Sequence, residues 1–365
     1  MTETQLHEPT IPIASPAVGR EELHRVDEVL RSGRLSGGEA VEAFGSEFAA
    51  YCDVAHGVPT TNGTTALHAA LAALDIGPGD TVVTTPFSFI ATANAVRHVG
   101  ARPLFADIDP ETYNLDPDRV AAVADDEGID AILAVHLYGC PAPIEELQAI
   151  ADRHDAVLVE DCAQAHGATY RGDPVGSFGD AGCFSFYPTK NMTTGEGGMV
   201  VTDDDGVAER CRSFIDHGRG PEGGHERVGH NFRMTDLCAA IGRVQLSKLD
   251  DFVDARRDNA ARFDAVDEVA MGRPAEPADC RHAYHQYTVR CDDRDGLADH
   301  LAEYGVGSAV YYPTPIHEEP AYDDVDVELP AAERAADEVL SIPVHPELSP
   351  EDVRRITLAL TEFST

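Results

Sequence analysis

The sequence predicts an α/β protein with a mostly parallel sheet, followed by a smaller α+β region. Two observations support this prediction. Six short apolar segments between residues 81 and 202 alternate with helical stretches, and the pattern changes near Asp254. The length of 365 residues also exceeds what one ordinary hydrophobic core requires. We therefore predict a large domain over residues 1–254, which includes an N-terminal arm, and a small C-terminal domain over residues 255–365.

The region before the sheet is predicted to be mostly helical. After a poorly patterned arm over residues 1–19, apolar residues at helical spacing predict helices over residues 21–30 and 40–51. Alanines and leucines predict a third helix over residues 65–74, which residues 61–64 (Thr-Asn-Gly-Thr) cap. The free N–H groups and hydroxyls at such a helix start suit a phosphate, although any capped helix shares this pattern.

The six apolar segments predict the strands of the sheet. The predicted strands are residues 81–85, 103–107, 131–137, 156–161, 182–186 and 199–202, and the predicted helices between and after them include residues 90–99, 144–153 and 207–215. Ligands bind at the carboxyl ends of parallel strands. We therefore expect Phe89, Asp161, Ser185 and Lys190 to converge on one edge of the sheet.

The chain after the sheet begins with a glycine-rich polar loop over residues 217–230, and an amphipathic helix follows from Asp236. Further on, short strands are predicted over residues 287–290 and 310–312. The loop contains Gly-Arg-Gly-Pro-Glu-Gly at residues 218–223, which fits the GxGxxG pattern of dinucleotide-binding proteins. No strand precedes this pattern and no apolar helix starts after it, so we reject a dinucleotide site.

The formal net charge of −38 comes from 65 Asp and Glu residues against 27 Lys and Arg residues. The acids are scattered along the chain, so a solvated surface in the salt-rich cytoplasm of a halophile explains them better than a basic partner does. A negative surface also argues against nucleic acid as a partner. We see neither a signal peptide nor an apolar run that could span a bilayer, and we predict a cytoplasmic protein that binds no membrane.

The eight cysteines have spacings that do not resemble zinc ligation, and none of them forms a CxxC pair. Buried free thiols are the ordinary expectation for a chain of this size without a secretion signal. We therefore predict free cysteines and no metal site.

Lys190 is the residue around which we place the functional site. It is one of only two lysines in the chain, the other being Lys248. Lys190 lies between an apolar segment at residues 184–186 and a glycine-rich segment at residues 195–198. A surface lysine is the ordinary interpretation, but a lysine retained in this setting favours a residue that forms a Schiff base with a carbonyl cofactor and then moves protons.

Several other residues supply contacts that such a cofactor needs. Asp161 ends an apolar strand and would keep a pyridine nitrogen protonated, although a helix cap or a loop hydrogen bond would also use it. Gln164 could reach the ring oxygen, with ordinary loop hydrogen bonds as an equal alternative, and Phe89 could stack on the ring. The predicted phosphate contacts are Gly63, Thr64, Thr65 and Ser185. Together these residues are the parts needed to hold pyridoxal 5′-phosphate (PLP).

The sequence resembles the DegT/DnrJ/EryC1/StrS family of nucleotide-sugar aminotransferases. This family has PLP fold type I, the aspartate aminotransferase-like fold. The matching segments occur in order along nearly the whole chain. They include NGTTALHAAL (62–71), PFSFIATANAV (86–96), EDCAQAHGATYRG (160–172), FSFYPTKNMTTGEGGMVVTDD (184–204) and GHNFRMTDLCAAIGRVQL (229–246).

The resemblance implies roles for further residues. It implies the cofactor contacts given above, with Lys190 as the Schiff-base lysine. It also implies a homodimer whose active sites are shared, in which Asn231 reaches the partner's phosphate site and Arg233 assists. Tyr312 and His317 match positions near the sugar pocket.

The activity implied by the resemblance is transfer of an amino group, from glutamate, to a keto group of a nucleotide-linked sugar. One branch of the family has histidine at the lysine position and dehydrates the sugar, so Lys190 favours transamination. Another PLP reaction, either dehydration or sulfur transfer, stays open as an alternative. A non-catalytic sensor that binds the cofactor or the sugar is a second alternative, against which the intact Lys190 and Asp161 argue.

Overall fold

The computed structural model describes residues 11–266 and 271–363, and its largest feature is a seven-stranded sheet. The strands are β1 (His56–Thr60), β2 (Thr81–Thr84), β3 (Arg102–Phe105), β4 (Ala131–Val135), β5 (Val157–Asp161), β6 (Thr169–Tyr170), β7 (Asp173–Pro174), β8 (Ala181–Ser185), β9 (Gly198–Thr202), β10 (Cys280–Arg281), β11 (Tyr287–Arg290) and β12 (Val339–Ile342). The main sheet has the order β1-β9-β8-β5-β4-β2-β3, and all its strands except β9 run in one direction. The predicted mostly parallel α/β architecture is confirmed.

Helices cover both faces of this sheet. They are α1 (Arg20–Ser32), α2 (Glu39–Tyr51), α3 (Gly63–Ala73), α4 (Ala91–His98), α5 (Pro117–Glu127), α6 (Ile144–His154), α7 (Asp205–Ile215), α8 (Asp236–Leu246), α9 (Leu249–Asp264), α10 (Arg294–Glu303), α11 (Pro330–Glu338) and α12 (Pro350–Glu362). Val82 and Leu133 pack with α3 and α7, whereas their neighbours Val83 and Ile132 pack with α5 and α6. Burial on both faces explains why these strands are continuously apolar in sequence.

Strand β1 is part of the sheet although its sequence, HGVPT, does not predict a strand. Pro59 cannot donate a ladder hydrogen bond, and β1 tolerates it because this strand lies at the edge and pairs only with β9. Gly57 is required by close packing, since a Cβ atom there would overlap the backbone of Gly45 in α2. Gly57 and Pro59, which make the sequence of β1 unlike that of a strand, therefore each have a structural reason.

The prediction of a strand over residues 310–312 is wrong. Ala309 makes one isolated bridge to Ser341, and the chain then leaves that pairing. Pro313 and Pro315 follow, and proline cannot donate to a strand ladder. Because the chain leaves the pairing here, Tyr312 lies beside Gln164, and the Gln164 amide donates to the tyrosine hydroxyl at 2.9 Å.

The domain boundary predicted near Asp254 falls inside α9, which is continuous. The second half of α9 contributes Ala260 and Phe263 to a separate core, which also contains residues of β11, β12, α10 and α12. Helix α9 therefore connects the main sheet region to this second core, and the division into two domains stays a prediction. None of the helices in the described part of the chain has the length and hydropathy that a membrane span requires.

Candidate active site

The carboxyl ends of β5 and β8 bring the central residues of the site together. Asp161 is the last residue of β5, and it pairs in register with Cys183 of the neighbouring strand β8. Ser185 ends β8, and Lys190 follows in a turn in which its N–H donates to the Tyr187 carbonyl at 2.9 Å. As expected, these residues lie at one edge of the sheet.

The environment of Lys190 favours its neutral form. Burial lowers the pKa of Lys190 to about 8, although the nearby negative charge of Asp161 raises it in part. Because only a neutral amine attacks a carbonyl, a lowered pKa prepares this lysine for reaction near neutral pH. The geometry thus supplies a nucleophilic amine beside a buried carboxylate.

Titration of the cofactor-free protein should distinguish the pKa of Lys190 from that of Lys248. We expect acetic anhydride labelling of Lys190 to rise with pH around a midpoint near 8, because its protonated form is unreactive. Lys248 should react only at higher pH. Burial would lower the pKa of Lys248, but hydrogen bonds to Glu21 and Glu22 raise it overall. Peptide mass analysis separates the two lysines, and a Lys190 midpoint above pH 10 would contradict the description.

Asp161 is buried and accepts two hydrogen bonds. Its Oδ2 accepts from the Thr92 hydroxyl at 2.8 Å, and its Oδ1 accepts from the Ala163 N–H at 3.1 Å. Burial raises the pKa of Asp161, although Thr92, Ala163 and Lys190 act in the opposite direction. A protonated pyridine nitrogen would supply a further cation for this carboxylate, so the chemistry of the site fits the ring of PLP.

Thr92 connects Asp161 to a second buried hydroxyl. The Ser88 and Thr92 hydroxyl oxygens are 3.0 Å apart, and both residues are buried. An ionised carboxylate only accepts, so Thr92 must donate its one hydroxyl proton to Asp161, and Ser88 must donate to Thr92. This chain of donors favours the charged form of Asp161 and fixes its orientation.

Thr92→Val should lower kcat about 10-fold, because a hydrogen bond to a charged group contributes about 1.5–3 kcal/mol. Thr92→Ser restores the hydroxyl and should recover most of the loss. The pH dependence of kcat distinguishes this role from a general loss of stability. Thr92→Val should shift the pH profile of kcat, whereas Thr92→Ser should not. Equal rates and equal pH profiles for wild type and Thr92→Val would show that the hydrogen bond is unimportant.

A second buried carboxylate, Glu160, fixes the end of β5 from the opposite face. Its Oε2 lies 3.0 Å from His136 Nε2, and its carboxylate accepts from the N–H groups of Gly176, Phe178 and Gly179 at 2.8 Å each. Burial alone would raise the pKa of Glu160, but His136 and these backbone donors lower it. The adjacent Asp161 therefore sits on a rigid strand end.

Gln164 is oriented by two residues. Its Oε1 accepts from the Tyr138 N–H at 2.8 Å, and its Nε2 donates to the Tyr312 hydroxyl at 2.9 Å. The Tyr138 hydroxyl in turn donates to the Tyr311 carbonyl. Phe89 is 57% exposed, and its ring centroid lies 6.3 Å from that of Tyr312. Phe89 is therefore accessible to a ring, and its stacking on the cofactor stays a prediction.

The start of α3 lies against Ser185. Asn62 caps the helix by accepting from the Thr65 N–H at 2.9 Å, and a Cβ atom on Gly63 would stand 2.7 Å from the Ser185 Cβ. Only glycine permits this approach, which brings the Ser185 side chain beside the helix start, where both could donate to one phosphate. The Thr65 hydroxyl donates to the Asn62 carbonyl at 2.8 Å, so Thr65 serves the cap, whereas Thr64 stays half-buried.

Asn231 and Arg233 follow the polar loop and pass the end of β1, where the Thr61 N–H donates to the Phe232 carbonyl at 2.8 Å. The Asn231 side chain is exposed, and its Oδ1 accepts from the Arg233 guanidinium at 3.2 Å. Arg233 also forms an ion pair with Asp216 at 3.1 Å. Arg233 therefore orients Asn231, whose amide group is left to donate to an anion.

His317 is buried away from these contacts. Its Nε2 lies 3.4 Å from the Glu333 carboxylate, and its ring packs near Phe105. Its predicted role near the sugar stays a prediction. Of the two predicted sugar-pocket residues, Tyr312 is the one that contacts Gln164 and the edge of the sheet.

Thr92 is a site residue that the sequence analysis did not identify. It lies four residues after Ser88, so both hydroxyls face the same side of the chain where α4 begins. Two hydroxyl residues four positions apart, where the chain enters a helix, are a signal that the sequence does carry. Its partner Asp161, however, is 69 residues away, and only the fold shows that contact.

This fold and this arrangement of lysine, aspartate and helix start define an α/β enzyme of the aminotransferase class. The chain belongs to the DegT/DnrJ/EryC1/StrS aminotransferase family, whose family model matches residues 16–361. The expected fold of that family is confirmed.

Named relatives are similar over nearly their whole length. The chain is 43% identical to the "Pleiotropic regulatory protein" of Geobacillus stearothermophilus, with 94% of this chain and 95% of the relative covered. It is 40% identical to a UDP-N-acetyl-3-dehydro-α-D-glucosamine 3-aminotransferase of Acidithiobacillus ferrooxidans, over 88% and 87% of the two chains. Among solved structures, S. venezuelae DesV in complex with a ketimine intermediate is 39% identical, with a TM-score of 0.90 and 94% of each chain covered.

Proposed function

We propose that this chain is a PLP-dependent aminotransferase that places an amino group on the keto group of a nucleotide-linked sugar. The observation that carries the proposal is Lys190, whose pKa is lowered to about 8 beside the buried Asp161. The aminotransferase family and the relatives named for nucleotide-sugar transamination support the substrate class.

The described residues fit PLP, which supplies an electron-withdrawing ring when bound. The start of α3 with Ser185 would hold the phosphate, Phe89 would cover the ring, and Gln164 would donate to the ring oxygen. Asp161 would hold a proton on the pyridine nitrogen. Lys190 Nζ would attach to the cofactor and, once displaced by the donor amine, would accept the proton from the donor α-carbon and return a proton to the sugar carbon.

The name of the Geobacillus relative favours a second candidate, a regulatory protein that binds the cofactor or the sugar without catalysis. A sensor needs no proton-transfer group, however. Here the pKa of Lys190 is lowered, and the Asp161 carboxylate has its own chain of donors. Such tuned groups cluster at catalytic sites, which supports the enzyme over the sensor.

Transfer of labelled nitrogen tests the proposal. We expect nitrogen-15 from labelled glutamate to appear in the product when the protein is incubated with PLP and a nucleotide-linked keto-sugar. The Lys190→Ala variant should transfer none, and other labelled amino acids define the donor. Loss of a hydroxyl from the sugar without nitrogen gain would indicate dehydration, and binding without any conversion would indicate a sensor.

We also propose that two chains form a homodimer with shared sites. Asn231, Phe89 and Tyr187 are exposed in the single chain around the phosphate turn and the ring position, which supports completion of the site by a partner. Mixing Lys190→Ala with Asn231→Ala protein should restore part of the activity, because one of the two sites would carry both native residues. No recovery despite subunit exchange would argue for sites built from one chain.

A cytoplasmic location in a salt-rich cell is a further proposal, supported by the net charge of −38. Because salt screens the repulsion among surface carboxylates, the melting temperature should rise as potassium chloride is added. Circular dichroism at several salt concentrations measures this change. A melting temperature that does not depend on salt would contradict the proposal.

A further inference from the structure

A small cavity lies between the N-terminal segment, the loop that holds Lys190, and helices α8 and α9. Its lining includes Ser15, Thr189, Lys190, Asn191, Gln245 and Arg256. Gln245 connects two of these walls, because its amide nitrogen donates to the Ala17 carbonyl at 2.7 Å and its amide oxygen accepts from the Thr193 N–H at 3.3 Å. The cavity has room for about one water-sized particle. It therefore suits a single water or a monatomic ion, and it is too small for an organic ligand.

Arg256 is a buried cation in the wall of this cavity. It is 5% exposed, and its Nη1 donates to the carbonyls of Tyr284 and His285 at 3.1 and 3.3 Å. Its Nε has no hydrogen-bond partner among the described residues. Burial lowers the pKa of Arg256 to about 10, and no carboxylate in the described part of the chain opposes this change. The guanidinium is still protonated at neutral pH, and a buried charge of this kind normally has a counter-charge.

Other buried polar groups near Arg256 also lack hydrogen-bond partners within the described ranges. They are the Asn191 Oδ1, the His285 Nδ1 and both ring nitrogens of His166. Burial lowers the pKa of both histidines, and Lys190 and Arg256 add to this effect, so the two neutral rings lie in the field of the same two cations. Unpaired polar groups that gather at one place in a folded protein indicate a bound water or ion.

The charges of the lining distinguish a water from an anion. The ionisable residues that line the cavity, among those the structure describes, are the cations Lys190 and Arg256, and none is Asp or Glu, although the chain has 65 acidic residues. A water would leave Arg256 without a counter-charge, whereas an anion would supply one. The Asn191 Oδ1 is an acceptor and would suit a water, so water is the alternative that an experiment must exclude.

We propose that this cavity binds a chloride ion, to which Arg256 Nε donates a charge-assisted hydrogen bond. Chloride is monatomic and fits the space of about one water, whereas a carboxylate, sulfate or phosphate group does not. The Ser15 and Thr189 hydroxyls line the same cavity and can donate to the ion. This binding differs from the screening of surface charge, because the acidic surface itself repels chloride. The inference does not depend on the proposed function.

A chloride ion in this cavity would also act on Lys190, whose side chain belongs to the same wall. A nearby anion favours the ammonium form of a lysine, so occupation of the cavity should raise the pKa of Lys190. The site would therefore connect the identity of the salt, and not only the ionic strength, to the reactivity of this amine.

Chlorine-35 NMR on the full chain tests binding in solution, because a chloride ion that exchanges with a protein site has a broadened line. Potassium chloride is titrated while potassium methanesulfonate, whose anion is too large for the cavity, keeps the total salt constant. We expect saturable broadening for wild type and about 10- to 100-fold weaker binding to Arg256→Gln, the loss expected for a hydrogen bond to a charged group. Equal broadening in wild type and Arg256→Gln would overturn the inference.

The matched control is Arg257→Gln. Arg257 is adjacent in sequence, but it is partly exposed and pairs with Glu276. Its loss removes one positive charge from the same helix and should leave the saturable broadening unchanged. If Arg257→Gln weakens chloride binding as much as Arg256→Gln does, the effect comes from the overall charge and the site is refuted.

Bromide locates the ion without any variant, because it is a halide with a strong anomalous signal. A wild-type crystal grown in potassium bromide should show an anomalous peak in the cavity beside Arg256 Nε. A water there without anomalous signal would overturn the inference, and this result decides if Arg256→Gln fails to fold. A bromide peak without saturable chloride broadening in solution would indicate an adventitious ion only, which would also overturn the inference.

Labelling of Lys190 measures the effect of the ion on this lysine. In the cofactor-free protein, the midpoint of acetic anhydride labelling should lie about one pH unit higher in potassium chloride than in an equal concentration of potassium methanesulfonate. Lys248, which does not line the cavity, and Lys190 in Arg256→Gln should show no such difference. Equal Lys190 midpoints in the two salts would refute the effect on Lys190. None of these measurements uses transamination, so failure of the proposed function would not affect them.

Discussion

Lys190→Ala should lower kcat by about 10⁴-fold, the upper range for loss of a positioned proton-transfer group. The variant loses both the amine that attaches the cofactor and the base that moves the proton. Steady-state transamination measures the effect, with the melting temperature as a check on folding. Activity within about 10-fold of wild type would show that Lys190 is not the reactive amine.

The chain provides a matched control in its other lysine. Lys248 follows α8 and forms ion pairs with Glu21 and Glu22 of α1 at 2.8 Å each. Lys248→Arg keeps the positive charge beside Glu21 and Glu22 and should change kcat by less than about twofold, because neither partner belongs to the site. A comparable loss in both variants would indicate a general effect on folding.

Asp161→Asn should lower kcat about 10²- to 10³-fold, the range found when one electrostatic contact to a transition state is removed. Asparagine has nearly the same shape and still accepts from Thr92, but it carries no negative charge to hold a proton on the pyridine nitrogen. The same assay measures the loss, and the absorbance of the bound cofactor reports its protonation. Unchanged kcat would show that the charge of Asp161 is unimportant.

Asp107 is the matched control for Asp161. It is also a buried carboxylate just past a strand of the main sheet, but it accepts from the N–H groups of Ala331 and Ala332 at the start of α11, at 3.0 Å each. Asp107→Asn should therefore lower the melting temperature and leave kcat nearly unchanged. If it lowers kcat as much as Asp161→Asn does, the effect comes from the fold and not from the site.

The sequence predicted the residues whose position follows from local rules. Asp161, Ser185 and Lys190 end or follow apolar strands, and the geometry of parallel sheets then brings them to one edge. The helix start at Asn62 and Gly63 was likewise readable from its capping residues. These predictions needed the direction of the strands but no knowledge of distant contacts.

Features that depend on tertiary contacts were missed or predicted wrongly. Pro59 hides an edge strand, and the aromatic run before Pro313 predicts a strand where the chain instead turns to place Tyr312 on Gln164. Arg256 is one of many arginines in the sequence, and only the packing of α9 shows that it is buried and donates to the Tyr284 carbonyl. Burial and partner choice over long sequence separations are not local properties.

Borohydride reduction tests the central claim most directly, because the chain has only two lysines. The protein is incubated with PLP in high salt, reduced, digested and analysed by mass spectrometry. We predict a pyridoxyl-phosphate mass on the peptide that contains Lys190 and none on the peptide that contains Lys248. A Lys190 peptide without that mass would contradict the assignment of Lys190 as the covalent anchor.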